Sequence, residues 1–96
     1  MANYVLLVRW TEQGIKDVKD TLQRAQQFRS DCERRGIRVT GLYWTEGRYD
    51  LAITLEAPDE QTMMAEVLGL CSLGNVHTET LRAFTESEMG AILRKI

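Results

Sequence analysis

The 96-residue sequence contains one histidine, one proline and two cysteines, and these scarcities remove whole classes of function. A lone histidine, with no CxxC and no HExxH, leaves no zinc set within the chain, and no metal is expected. Cys32 and Cys71 fall in separate segments of helical spacing. They read as small core residues of a protein in reducing, cytoplasmic surroundings rather than as a disulfide or redox pair. The seven glycines never assemble as GxGxxG or a P-loop, so no nucleotide phosphate is cradled and no cofactor is expected. Charge of one sign is also missing: 12 Lys and Arg stand against 14 Asp and Glu, interspersed, for a net charge of −2. With no basic stripe, nucleic acid is not an expected partner. The longest purely apolar run, Tyr4 to Val8, is far short of the roughly 20 residues that a membrane helix needs. The opening Met1-Ala2-Asn3-Tyr4 is no basic-then-apolar leader. Neither a membrane partner nor a secretory signal is expected.

What remains is a globular composition, 44% hydrophobic and 27% charged, in a length that suits one domain over residues 1–96. A chain this short buries only about 60–65% of its unfolded surface, so area contributed by a partner matters to it.

The pattern reads as strand, helix, strand, strand, helix, strand, with a helix appended. Residues 4–10 form a strand apolar at both parities: Tyr4, Leu6, Val8 and Trp10 on one face, Val5 and Leu7 on the other. Thr11 caps a helix whose stripe is Ile15, Val18, Leu22, Ala25, Phe28 and Cys32. It runs to about Arg35 and stops at Gly36. Residues 37–44 are a second strand, joined through Thr45-Glu46-Gly47-Arg48 to a third over 49–56, whose Tyr49, Leu51, Ile53 and Leu55 alternate with polar residues. Pro58, Asp59 and Glu60 start a helix with Met64, Val67, Leu68 and Cys71 as its buried stripe. Residues 76–84 read as a polar edge strand of unresolved facing. Thr85-Glu86-Ser87-Glu88 is a capping box, followed by Met89, Ile92, Leu93 and Ile96 on one stripe.

This order is that of the ferredoxin-like βαββαβ fold, an α+β class in which right-handed crossovers give an antiparallel sheet ordered 4-1-3-2 with both long helices on one face. The second apolar face of the first strand then predicts that the helix-free side of the sheet is covered. A symmetric homo-oligomer, with the open faces of two copies together, would cover it. The terminal stripe must likewise fold onto its own subunit or dock on a neighbour.

One rim of such a sheet gathers Arg9, Trp10, Trp44, Tyr49, Asp50 and His77, flanked by Arg48 and Asn75. An aromatic-walled pocket with an arginine, an acid and an imidazole suits an anionic or aromatic small molecule. His77 could act as a general base with Asp50 setting its tautomer. A plainer reading makes Arg9 and Asp50 a cross-strand ion pair and the aromatics rim packing. No fixed-spacing catalytic motif accompanies the cluster.

Three stretches, residues 4–14, 43–50 and 72–84, together resemble the GYD-domain family of small bacterial proteins, and Gly47, Tyr49 and Asp50 match its name-giving residues, here with Arg48 interposed. The resemblance implies a ferredoxin-like domain of the dimeric α/β-barrel type and carries no activity with it. Two functions are therefore weighed: a self-associating binding module, regulatory in kind, and a small cofactor-independent enzyme, monooxygenase-like by fold analogy alone, using His77 and Asp50. A closed cavity around His77 would favour the enzyme, an open groove the binding module, and no pocket at all a purely structural subunit.

Overall fold

A computed structural model describes all 96 residues, Met1–Ile96. In chain order the elements are β1 (Ala2–Trp10), α1 (Glu12–Lys16), α2 (Thr21–Arg34), β2 (Arg38–Trp44), β3 (Leu51–Ala57), α3 (Glu60–Ser72), β4 (Val76–Ala83) and α4 (Glu86–Leu93). The strands form one antiparallel sheet in the order β2-β3-β1-β4, the expected order read from its other edge. Period-2 alternation explains the core. Tyr4, Leu6 and Val8 of β1 lie opposite Leu55, Ile53 and Leu51 of β3, and all six are buried beneath α2 and α3. Phe28 and Cys32 of α2, Met63 and Val67 of α3, Ile37 and Ala57 complete that core.

Two helices depart from the expected reading. The single helix expected from Thr11 to Arg35 is broken into α1, a short 3-10 turn (Val18–Asp20) and α2. Arg24 satisfies the exposed end of α1 by donating to the carbonyls of Gly14 and Asp17, so the chain can bend there. Ile15 and Leu22, expected in the buried stripe, face solvent at 49% and 67% exposure. On α3 the buried residues are Met63, Glu66 and Val67, whereas Met64 and Leu68 are more than half exposed. α3 has apolar residues on more than one side, so spacing alone did not rank them. The deciding contact is Glu66, whose carboxylate accepts from Arg35 Nε at 3.0 Å and so can occupy a core-facing position.

The register resolves β4. His77, Glu79, Leu81 and Ala83 pair with Arg9, Leu7, Val5 and Asn3 and share the helix-free face. Arg82 lies on the opposite side, its guanidinium 5.7 Å from the Tyr4 ring and 4.5 Å from that of Phe84, which is how a charged residue sits beside the core.

α4 begins with the expected capping box between Thr85 and Glu88. It buries none of its own residues, and Met89, Leu93 and Ile96 are 46%, 55% and 99% exposed. The terminal stripe therefore does not fold into the core of its own subunit.

Candidate functional site

The hairpin end of the sheet is built around Gly47, Tyr49 and Asp50. Gly47 turns the chain with φ 102°, a left-handed conformation that a side chain would strain. Thr45 donates through its amide to the Asp50 carbonyl at 2.8 Å and through Oγ1 to the Tyr49 carbonyl at 2.7 Å. Asp50 then ties the hairpin to β1 twice: its amide donates to the Val8 carbonyl at 2.7 Å, and its Oδ2 accepts from the Trp10 amide at 2.8 Å. The side chain thus substitutes for the backbone carbonyl that the next ladder step would supply. Tyr49 extends sideways, its hydroxyl donating to Glu79 Oε1 at 2.9 Å.

All six sequence-predicted residues do lie at this end, but the sheet divides them. On the helix-free face, Arg9 pairs across from His77, and these two with Arg48, Tyr49, Glu79 and Leu7 border a cleft of about 120 Å³. The Arg48 guanidinium stacks 5.9 Å from the Tyr49 ring. On the helix side, Trp10 continues the Tyr4-Leu6-Val8 parity, and Trp44 Nε1 donates to Thr21 Oγ1 of α2 at 3.0 Å. Asp50 belongs to neither group as a free carboxylate. No ion pair joins it to Arg9, and no hydrogen bond joins it to His77.

The helix side holds a feature the sequence reading missed. Between α2 and the sheet lies a partly open apolar pocket of about 110 Å³, with Val8, Trp10, Ala25, Phe28, Leu42 and Leu51 among its walls. Thr21, Arg24, Gln27, Asp31 and Asn75 supply the polar groups of its lining. A signal was present: Ala25 is the smallest member of a stripe otherwise made of larger residues, and a small residue facing a sheet leaves space. Asn75 is fixed there because its carbonyl accepts from the Thr11 amide at 3.0 Å and its Oδ1 from Gln13 Nε2 at 2.9 Å.

Below this end, Cys32 is fully buried. Burial first, then the nearby Glu66 and Asp31 carboxylates, push its thiol up to about 12, so it stays protonated and inert. Both cysteines are free. Glu66 is raised above the ordinary carboxylate range by burial, against the opposing hydrogen bond from Arg35. No group of three or more His, Cys, Asp and Glu side chains is placed to hold a metal ion, and no helix is long and apolar enough to cross a membrane.

A four-stranded antiparallel sheet of this order, carrying two long helices on one face, defines a ferredoxin-like α+β protein. The crystal structure of MtbAldR is similar in fold. It aligns with TM-score 0.67 at 16% identity, covering 88% of this chain and 52% of that one, so the present chain spans about half the length of that protein. The chain belongs to the GYD domain family, whose model matches residues 4–93. Among curated proteins, none matches.

Proposed function

We propose that this GYD domain is a self-associating binding module. Its ligand is a compact aromatic or branched aliphatic molecule with one polar end, and its partner is a second copy. The observation that carries the reading is the cavity between α2 and the sheet. Its 110 Å³ compares with the roughly 150 Å³ of a dry apolar cavity that accepts benzene. The Trp10 ring offers a stacking edge, and Arg24, with donors beyond those it gives to α1, suits an anionic end. The enzyme reading lacks its catalytic pair, because the Asp50 carboxylate is engaged by the Trp10 amide and makes no hydrogen bond to His77.

A thermal-shift series with indole, benzoate and isovalerate tests the ligand half. At ten times Kd a bound probe should stabilise the protein by about 1.4 kcal/mol. Ala25→Leu fills the cavity, so it should abolish that shift, while His77→Ala should leave it unchanged. If none of the three probes shifts the melting temperature, or if a shift survives Ala25→Leu and disappears in His77→Ala, the cavity is not the site.

The self-association half rests on the helix-free face, where Val5, Leu7 and Ala52 lie beside Leu81 and Tyr43, the last two 41% and 65% exposed. Leu7→Arg places a charge at its centre and should halve the mass measured by light scattering from a dimer to the 11.0 kDa chain. Leu81→Arg, at a more exposed position, should do the same without risk to the fold. An unchanged mass in a folded Leu81→Arg protein counts against this face as the interface.

A further inference from the structure

Two apolar surfaces of this chain stand without a partner: the helix-free face of the sheet, and the stripe of Met89, Ile92, Leu93 and Ile96 on and just beyond α4. Taking the self-association argued above as its base, we infer that α4 is an exchange arm. It docks its stripe on the second copy, reciprocally, so that one two-fold operation covers both surfaces.

The first argument is that α4 exists at all. A helix of eight residues with none of them buried is marginal in water, since isolated helices shorter than about 12–15 residues rarely persist. Yet this segment has a complete capping box, Thr85 Oγ1 accepting from the Glu88 amide at 3.1 Å and Glu88 Oε1 from the Thr85 amide at 2.8 Å. Of the residues that would anchor such a helix, Met89, Leu93 and Ile96 are left exposed and only Ile92 is partly covered.

The second argument is area. Four strands about 4.8 Å apart, paired over some seven residues of about 3.3 Å each, present a footprint of about 450 Å² per copy. A stable interface buries about 800 Å² per partner, so the sheets alone fall short. An eight-residue helix is about 12 Å long and about 10 Å across. Giving one arm and receiving another adds about 240 Å² of footprint per copy, which makes up most of the difference. A two-fold arrangement supplies both additions together, because the same patch serves on each subunit. A different protein as occupant would cover the arm but leave the sheet face to be covered separately.

The arm is tested on the full chain with Met89→Asp/Leu93→Asp. Because α4 contributes nothing to its own subunit's core, the double variant should keep wild-type circular dichroism. Its dimer dissociation constant, from concentration-dependent light scattering, should rise at least tenfold. Hydrogen exchange provides the second readout. Amides of Met89–Leu93 should exchange slowly in the wild-type dimer and freely in the Leu81→Arg monomer, since protection depends on the partner. If Leu81→Arg dissociates the dimer while Met89→Asp/Leu93→Asp leaves its affinity unchanged, the arm inference fails and the sheet-face dimer stands. Slow exchange at α4 persisting in the monomer likewise overturns the arm. A wild-type mass of one chain at every concentration overturns both.

Discussion

Gly14→Ala should destabilise this protein by about 3 kcal/mol, the upper end of what overpacking costs, and lower its melting temperature by at least about 12 °C. Gly14 sits in α1, buried against the start of β4. A methyl group there would fall inside the carbonyl oxygen of Asn75 and 3.0 Å from its carbon. Those are backbone atoms, so no rotamer change relieves the clash. The Asn75 carbonyl is also the acceptor for the Thr11 amide, and Thr11 Oγ1 donates to the Gly74 carbonyl at 2.6 Å. Pushing Asn75 away therefore loosens the junction that joins α1 to β4 and displaces one polar group of the cavity lining. Gly90→Ala is the matching control. It lies in α4 with nothing within 4 Å of the added carbon, and replacing a helical glycine should stabilise by about 0.5–1 kcal/mol. Thermal denaturation followed by circular dichroism separates the two. A Gly14→Ala protein that melts like wild type would show that the α1–β4 contact is not a constraint.

The second large effect is pH-dependent. Arg35→Ala should cost about 1–3 kcal/mol near pH 7.5, because it leaves the buried Glu66 carboxylate without its charged donor. The guanidinium side chain is 43% exposed against 4% for Glu66, so solvent already screens the arginine, and the loss falls below that of a fully buried pair. The direction with pH follows from Glu66, whose carboxyl is raised above its ordinary value by burial. A raised acid binds its proton more readily in the folded than in the unfolded chain. Its stabilising contribution is therefore complete below the unfolded carboxylate range and is lost as pH rises through the folded value. This group should make the wild-type protein more stable as pH falls from neutrality towards that range. Arg35→Ala should cost less at the acid end, where Glu66 is protonated and needs no cation. Glu66→Gln keeps an acceptor for Arg35 and should flatten that part of the profile. Urea titrations at a series of pH values measure all three proteins. A Glu66→Gln profile parallel to wild type would remove Glu66 as the source of the slope.

The sheet was legible from alternation alone, because burial at period 2 in Tyr4-Leu6-Val8 and Leu51-Ile53-Leu55 reports directly which side faces the helices. The α4 capping box was legible for a similar reason: its hydrogen bonds join residues three apart. Spacing failed where long-range polar contacts decide. Nothing local to α3 announces that Glu66 faces inward, since Arg35, its donor, is distant in sequence. The break before α2 depends on Arg24 reaching back to two carbonyls. The six rim residues fall at one end of the sheet but on both of its faces, because sequence proximity at a strand end says nothing about side. Arg9 and Trp10 are neighbours in the chain and face opposite ways. Asp50, chemically the most suggestive member, is occupied by a backbone amide that no motif search represents.

The ladder between β2 and β3 slips between Val39 and Gly41, and the other border strand, β4, carries Thr78, Glu79, Thr80 and Arg82. Irregular or charged margins of this kind disfavour lateral addition of another sheet. In the self-association proposed above, such borders favour face-on contact, and a face-on pair related by a two-fold axis has no free end from which a fibre could grow.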